Sequence, residues 1–277
     1  MDTHNHHSKK LLEQKFETWF QNINHAAVAL SGGIDSSLVA YGARRVLGRK
    51  NVIAVISASA SVKQRELNEA RSFCRLFDIV LHEIDANEME DPNYRENPVN
   101  RCFFCKTALY TTIERLVTEQ FPGYTVLNGN NFSDFGDYRP GLQAGKAHKV
   151  LSPLAECGFN KDDIRKLANH YGLPNWNKPA SPCLSSRFPY GESISVEKLR
   201  MVEKAEDILN DYGFEDVRVR YINNTARIEV SSDKVSDLKL VISEMAPSIL
   251  SIGFNHCEID QEGLISGKLN REIGKTG

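Results

Sequence analysis

The chain has 277 residues, of which 41% are hydrophobic and 25% charged, a composition that can build a full hydrophobic core. At about 150 residues per domain, this length predicts one or two domains. The formal charge is −2, which gives no overall attraction to nucleic acid or to an anionic membrane. No apolar run reaches the ~20 residues of a membrane span, and the polar N-terminus, 1–10, has no signal-peptide core and is expected to fray. We therefore expect a cytoplasmic protein with reduced cysteines.

The first two thirds of the chain alternates short apolar runs with helical patterns. Strands are predicted at 26–30, 52–57, 79–84 and 125–128. Apolar residues recur at helical spacing over 39–47, 67–77 and 109–117. Continuous apolar strands separated by amphipathic helices predict a doubly wound α/β fold, a parallel sheet covered on both faces. Ligands of such sheets bind beyond the carboxyl ends of the strands.

The last third has a different pattern. A helix from Lys161 to Tyr171, with Asn160 as its N-cap, precedes a long proline-rich loop at 175–191. Beyond the loop, the sequence predicts a helix at 196–212, a hairpin of 217–222 and 226–230, a helix near 235–244 and a strand near 251–259. We therefore predict a nucleotide domain at 1–185 and a smaller α+β domain at 186–277.

The motif SGGIDSS, at residues 31–37, lies between the first predicted strand and the helix that follows it. Glycines let backbone N–H groups approach phosphate oxygens, hydroxyl groups add donors, and a helix N-terminus favours negative charge. No Lys stands where a Walker A loop needs one, which argues against transfer of a gamma-phosphate. The alternative is a Gly-Gly turn capped by serine. The predicted pyrophosphate loop comprises Ser31, Gly32, Gly33, Asp35, Ser36 and Ser37.

Three of the six cysteines form a second candidate site. Cys102 and Cys105 stand at the start of a predicted helix, where the helix N-terminus and the flanking Arg101 and Lys106 favour the thiolate. The third, Cys183, lies in the proline-rich loop. Structural zinc needs four ligands, and no second CxxC or nearby CxxH supplies them. Three thiolates suit a 4Fe-4S cluster with one open iron; otherwise they are two half-buried residues at a helix start and an isolated thiol.

SGGIDSS resembles the SGGxDS signature of the PP-loop ATP pyrophosphatases. Those enzymes cleave ATP between the alpha and beta phosphates, adenylate a substrate oxygen and release pyrophosphate. The resemblance implies ATP as a substrate, Asp35 organising Mg²⁺ around the pyrophosphate, and a doubly wound nucleotide domain.

Four further segments narrow this resemblance: residues 137–141, 176–181, 185–191 and 217–220. With the phosphate loop, they are similar to the LarE family, the sulfur transferases that build the nickel-pincer nucleotide of lactate racemase. The likeness runs over nearly the whole chain. It implies adenylation of a carboxylate of pyridinium-3,5-biscarboxylate mononucleotide and its conversion to a thiocarboxylate, twice per product.

Two sulfur chemistries occur in that family. Some members give up the sulfur of a single cysteine at the position of Cys183, and so turn over once. Others bind a 4Fe-4S cluster through three cysteines, and the open iron can carry a sulfide. Cys102, Cys105 and Cys183 match the second pattern. The resemblance therefore implies a cluster-type enzyme with Cys183 and Asp35 as catalytic residues, and sacrifice of Cys183 as the alternative.

The resemblance also indicates a substrate site. Strand alternation places Arg218 and Arg220 on one face of their strand, with Glu229 on the partner strand. On this pattern alone, a solvated, charge-paired hairpin is the simpler interpretation. The resemblance instead makes the two arginines contacts of the substrate phosphate, with Glu229 at the same site. It also makes Lys106 and Arg187 anion contacts.

A tRNA thiolase is the closest enzymatic rival, because a PP-loop and a three-cysteine cluster occur together there too. It would need a basic RNA-binding face or an RNA module, and the charge of −2 argues against one. A non-catalytic nucleotide or iron–sulfur carrier would not need both an intact phosphate loop and several anion contacts. We therefore expect a small nucleotide substrate, no nucleic-acid or membrane partner, and, from the resemblance, a homo-oligomer.

Overall fold

A computed structural model describes residues 2–136, 140–265, 267, 268 and 271. Residues 137–139, part of the segment 137–141 that resembles the LarE family, lie outside the described residues. The chain forms two compact units. The first contains the described residues up to Glu88 together with Cys102–Ser181, and the second contains Met89–Arg101 and the described residues from Pro182 onward. The predicted division into domains at 185/186 stays a prediction.

The helices and strands follow in chain order. The helices are α1 (Asp2–Phe20), α2 (Ile34–Leu47), α3 (Gln64–Leu76), α4 (Pro92–Arg95), α5 (Arg101–Gln120), α6 (Pro140–Ala147), α7 (Pro153–Glu156), α8 (Lys161–His170), α9 (Val196–Asp211) and α10 (Val235–Ser251). The strands are β1 (Ala26–Ala29), β2 (Val52–Ser57), β3 (Val80–Ile84), β4 (Thr125–Leu127), β5 (Val217–Ile222), β6 (Thr225–Val230) and β7 (His256–Ile259). None of the helices in the described part of the chain is both long and apolar enough to cross a membrane.

The first unit is built on a parallel sheet in the order β3-β2-β1-β4. Both of its faces are covered. In β1, Ala26 and Val28 pack into a core that includes residues of α1, α2, α3 and α8, whereas Ala27 packs on the opposite face against Tyr110 and Ile113 of α5. Because both faces are buried, the central strands β1 and β2 are apolar at every position except Ser57, the last residue of β2, as in other parallel sheets. The predicted doubly wound α/β fold is confirmed.

The second unit contains a small mixed sheet in the order β5-β6-β7. Strands β5 and β6 are antiparallel, and β7 runs parallel to β6. Asn223 and Asn224 connect the hairpin with φ angles of 47° and 60°, the backbone of a type I′ turn, which asparagine tolerates. Helix α9 contacts β5, and α10 contacts β7. The predicted smaller α+β part is therefore present.

The N-terminus was wrongly predicted to fray, because α1 begins at Asp2. Its C-terminal half carries apolar residues at helical spacing, and Phe16 and Phe20 are fully buried. The two phenyl rings meet edge to face with centroids 5.1 Å apart. Such burial stabilises a helix whose first turns are polar, because most helical stability in proteins comes from packing of the apolar face.

Helix α10 is longer than predicted. It continues through Pro247 to Ser251, and the following strand starts only at His256. Proline inside a helix removes one backbone hydrogen bond. Met245 and Ile249, on either side of Pro247, are both fully buried. Their packing therefore outweighs the loss of one backbone hydrogen bond at the proline.

Candidate functional site

The SGGIDSS motif forms a loop between β1 and α2 that is stabilised by its own serines. Ser36 Oγ accepts a hydrogen bond from the Ser31 backbone N–H at 3.0 Å and donates to the Gly33 carbonyl at 3.1 Å. Gly32 has a φ of 75°, which favours glycine, and a Cβ there would lie 3.3 Å from the carbonyl oxygen of Glu66. The loop leads directly into the N-terminus of α2, whose free N–H groups and dipole attract anions.

A second segment packs against this helix N-terminus. Gly129 follows β4, at the carboxyl edge of the sheet. A Cβ on Gly129 would lie 2.5 Å from the backbone nitrogen of Ser36 and 3.0 Å from the carbonyl carbon of Asp35. Only glycine therefore allows this close approach of two backbones.

Asp35 lies in the first turn of α2 and is contacted by two further side chains. Lys161 Nζ, from the start of α8, donates to Asp35 Oδ2 at 2.5 Å, and Asn131 Nδ2 lies 3.5 Å from Asp35 Oδ1. The pair is accessible, with the side chains of Asp35 and Lys161 21% and 40% exposed. A carboxylate is the ligand that Mg²⁺ prefers in proteins, so Asp35 fits the metal if Lys161 releases it.

The far side of the loop is held by the segment after α8. Asn175 Nδ2 donates to Ser37 Oγ at 2.9 Å. Lys178 forms an ion pair with Glu66, which lies against Gly32, and a second with Glu69 at 2.6 Å. Residues from the ends of several elements of the first unit thus converge on the phosphate loop.

In the second unit, Arg187 is bound inside the protein. Its Nε donates to Glu206 Oε1 at 2.8 Å and its Nη2 to Glu206 Oε2 at 3.2 Å, and both side chains are 2% exposed. Its Nη1 donates to the carbonyl oxygens of Pro182 at 2.8 Å and Cys183 at 3.3 Å, and to Ser186 Oγ at 2.9 Å. Arg187 was predicted to contact an anion, but all three nitrogens of its guanidinium already donate to protein groups.

Arg220 is the second buried arginine. Its Nε and Nη2 donate to Glu229 Oε2 at 3.0 and 2.8 Å, and its Nη1 donates to the Ser186 carbonyl at 2.5 Å. Glu229 also lies 3.6 Å from Lys268. The sequence correctly placed Arg220 and Glu229 on paired strands, but the register pairs Glu229 directly with Arg218.

Arg218 differs from its neighbours. It is half-buried and forms no ion pair or hydrogen bond with a side chain that the structure describes. Burial lowers the pKa of its guanidinium, and repulsion by Arg187 and Arg220 lowers it further, against a smaller opposite effect of Glu229 and Glu206. A half-buried cation in a positive field would be stabilised by a bound anion.

The predicted cluster ligands are divided between the units. Cys102 and Cys105 occupy the first turns of α5 in the first unit, where Cys102 is exposed, and Cys183 is exposed in the second unit. Thiols of this kind are the ordinary ligands of iron–sulfur clusters, so the donor chemistry fits. Among the described residues, no group of three or more His, Cys, Asp or Glu side chains is arranged to hold a metal ion. The 4Fe-4S cluster stays a prediction.

Lys106, the remaining predicted anion contact, lies on α5 in the first unit. Its stem runs beside Gly141, where a Cβ would lie 2.9 Å from Lys106 Cδ. It forms no ion pair with any residue that the structure describes, so its ammonium group is available to an anion.

Several residues at the phosphate loop were not predicted from the sequence: Gly129, Asn131, Lys161, Asn175, Lys178 and Glu66. One signal was present. The polar run NGNN at 128–131 directly follows β4, and ligand-binding residues of parallel sheets follow the carboxyl ends of strands. The contacts of Lys161 and Lys178 have no comparable signal, because they depend on how α8 and the following loop pack.

Comparison with known proteins extends the likeness over both units. Residues 6–97 match the family described as NAD synthase. An uncharacterised protein of Synechocystis sp. is 43% identical over 270 residues, 96% of this chain and 100% of that protein. Pyridinium-3,5-bisthiocarboxylic acid mononucleotide synthase of Lactiplantibacillus plantarum is 34% identical over 256 residues, 92% of each chain. An uncharacterised protein of Methanocaldococcus jannaschii is 27% identical over 227 residues, 81% of this chain and 85% of that one.

Proposed function

Since this chain belongs to the family of pyridinium-3,5-bisthiocarboxylic acid mononucleotide synthases, the LarE family, we propose that it makes thiocarboxylates on a small pyridinium mononucleotide. The substrate is pyridinium-3,5-biscarboxylate mononucleotide, each carboxylate of which is adenylated and then converted to a thiocarboxylate. The chain is an ATP-dependent enzyme of the PP-loop class. The observation that supports this substrate most directly is Arg218, a half-buried guanidinium without a partner among the described side chains, beside two arginines that have theirs.

The phosphate loop would bind ATP through backbone N–H groups and hydroxyls. The free N–H groups at the start of α2 and the helix dipole would hold the negative charge of the pyrophosphate. Asp35 would hold Mg²⁺, and Lys161 would have to release the Asp35 carboxylate for this. A substrate carboxylate oxygen would then bond to the alpha-phosphorus as the bond to pyrophosphate breaks.

Adenylation supplies the leaving group that the next step needs. A carboxylate is a poor electrophile because it carries negative charge, whereas the acyl carbon of an acyl-adenylate can lose AMP. A sulfur nucleophile would displace AMP and leave a thiocarboxylate, so one ATP is consumed for each oxygen replaced. A 4Fe-4S cluster held by Cys102, Cys105 and Cys183 would present a sulfide for each transfer, and a fresh sulfide from solution would have to replace it before the next.

The substrate phosphate would bind at Arg218. An anion there would relieve the repulsion that Arg187 and Arg220 exert on this guanidinium, and bonds between ionised groups are the stronger class of hydrogen bond. Arg220 and Glu229 would border the site as a buried ion pair next to Arg218. Lys106, which has no ion partner among the described residues, is the further anion contact that we propose.

The sulfur source is tested by iron and sulfide analysis after anaerobic purification. We expect about four iron and four sulfide per chain, the composition of the cluster. Cys183→Ser should lose the cluster, whereas Cys257→Ser, a half-buried thiol outside the proposed ligands, should keep it. Iron-free protein that loses the mass of one H₂S per reaction, leaving Cys183 altered, would instead establish sacrifice of that cysteine.

The substrate is tested by pyrophosphate release. Addition of the biscarboxylate mononucleotide to enzyme, ATP and Mg²⁺ should start release, and the same compound without its phosphate should bind more weakly. Transfer RNA should have no effect. Release that requires tRNA and ignores the mononucleotide would overturn the proposal in favour of an RNA thiolase.

A further inference from the structure

Cys183 stands at the start of a short 3-10 turn, Leu184–Arg187. A turn of this kind has few hydrogen bonds of its own; here Ser186 N–H donates to the Cys183 carbonyl at 3.0 Å and Phe188 N–H to the Ser185 carbonyl at 3.3 Å. Tyr94 Oη is hydrogen-bonded to Ser185 Oγ at 2.5 Å, and arginine side chains bind four of the backbone carbonyls. The donor–acceptor pairs are Arg187 with the carbonyls of Pro182 and Cys183, Arg101 with that of Ser185, and Arg220 with that of Ser186.

Arg187 is the arginine that reaches the cysteine itself. A guanidinium has donors on three nitrogens, and all three nitrogens of Arg187 already donate to protein groups, two of them to Glu206. Glu206 Oε1 also accepts from the Val219 backbone N–H at 3.0 Å. The carboxylate is thereby fixed to β5, and through Arg187 it fixes the backbone at Cys183.

We infer that Arg187 and Glu206 are positioning residues for Cys183, and that Arg187 does not contact the substrate anion. This inference rests on the proposed function, in which Cys183 takes part in sulfur transfer. The two acid–base pairs then have different tasks. Arg187 and Glu206 hold the backbone at Cys183 itself, while Arg220 and Glu229 are the strand neighbours of Arg218 and reach the turn only at Ser186.

Precise placement matters because transfer requires sulfur and the acyl carbon to approach within about 3.5 Å along a defined direction, and an error of about 1 Å can cost on the order of 100-fold in rate. A turn freed from its arginine would sample several conformations. The substrate phosphate would still bind, because Arg218 is kept and the loss of both Arg187 and Glu206 removes one positive and one negative charge that act on it.

The test uses the paired substitution Arg187→Met with Glu206→Met in the full-length enzyme. Replacing both members of a buried ion pair by apolar residues avoids an unpaired buried charge and is often neutral for stability. A single Arg187→Lys variant keeps the charge but loses the planar fork that spans two carbonyls. The control is Arg227→Met with Glu258→Met, an exposed pair of the same unit, with N–O 2.5 Å, that does not touch the turn.

We expect kcat to fall about 10- to 100-fold in the paired variant, with KM for the mononucleotide changed by less than about twofold. The kcat of Arg187→Lys should lie between that of the paired variant and that of the wild type. Amide hydrogen exchange of the peptide spanning 182–189 should accelerate at least about tenfold, while that of α9 stays the same. The control pair should match wild type in all three measurements.

Two results would overturn the inference. One is a KM that rises tenfold or more with kcat unchanged, which would make Arg187 an anion contact. The other is unchanged exchange at 182–189 in the paired variant. Exchange is measured without substrate, so it separates the two proposals: faster exchange in a protein whose wild type makes no thiocarboxylate would refute the proposed function and leave the positioning role standing.

Discussion

The two units hold their charged groups in opposite ways. At the phosphate loop, the pair of Asp35 and Lys161 is accessible to water, whereas the pairs of Arg187 with Glu206 and Arg220 with Glu229 are almost completely buried. Exposed pairs contribute about 0–1 kcal/mol and exchange partners easily. Buried pairs cost several kcal/mol to break on one side only. The first site is therefore built to exchange ligands, and the second to hold a fixed geometry.

The largest effect is expected at the exchangeable pair. Asp35→Ala should lower the rate of pyrophosphate release by at least about 100-fold, a typical loss when a group that stabilises transition-state charge is removed. The free energy of unfolding should change little, because the pair is partly exposed to water. Asp162→Ala, which removes an exposed carboxylate next to Lys161 on α8, is the matched control and should retain activity. Pyrophosphate release by Asp35→Ala at the wild-type rate would refute the role of Asp35.

Substitutions in the buried ion pairs should instead lower the free energy of unfolding. Arg220→Ala leaves the Glu229 carboxylate buried, and we expect a loss of about 3 kcal/mol in the free energy of unfolding, at the low end for a broken buried pair. The low end applies because Lys268 remains 3.6 Å from Glu229. Urea unfolding measures this loss.

Arg218→Ala is the contrasting variant. The free energy of unfolding should stay the same or rise, because the repulsion by Arg187 and Arg220 disappears. KM for the mononucleotide should rise about 10- to 100-fold, the value of a hydrogen bond to a charged group. Equal destabilisation by Arg218→Ala and Arg220→Ala would contradict the distinction between Arg220, which is ion-paired, and Arg218, which has no partner among the side chains that the structure describes.

A smaller effect is expected where Gly129, just after β4, packs against the start of α2. Gly129→Ala adds a Cβ within 2.5 Å of the Ser36 nitrogen, so the backbone must shift, at a cost of about 1–3 kcal/mol. ATP binding should weaken with it. Gly145→Ala, where the nearest atom is 3.6 Å from the new Cβ, should be neutral or slightly stabilising because alanine favours helix. ATP affinity measured by calorimetry and unfolding by urea would separate the two.

The smallest effect concerns the remaining thiols. Burial raises the pKa of the Cys74 thiol to about 12 and that of Cys157 to about 11. Below those pH values the reactive thiolate is scarce. In iron-free native protein at pH 8, iodoacetamide should therefore label the exposed Cys102 and Cys183 and leave Cys74 and Cys157 unlabelled until urea is added. Rapid native labelling of Cys74 would show that its environment is more open than the structure has it.

Much of the fold was accessible from the sequence. The apolar strands and helical patterns predicted the doubly wound sheet, and Asn160 was correctly assigned as an N-cap, where its side chain accepts from Asp163 N–H at 3.0 Å. The failures were at α1 and at the end of α10. There, distant packing of Phe16 or Ile249 outweighed a polar run or an internal proline.

The candidate site divides in the same manner. The sequence by itself determined the phosphate loop, because glycine, serine and a helix start carry the chemistry within seven consecutive residues. It also placed Arg218, Arg220 and Glu229 on neighbouring strands. Only the tertiary structure decided that Arg187 and Arg220 are paired while Arg218 has no side-chain partner among the described residues, since this depends on contacts with Glu206 and Ser186 from other elements. Burial and ion pairing are properties of the whole packing, and local patterns do not contain them.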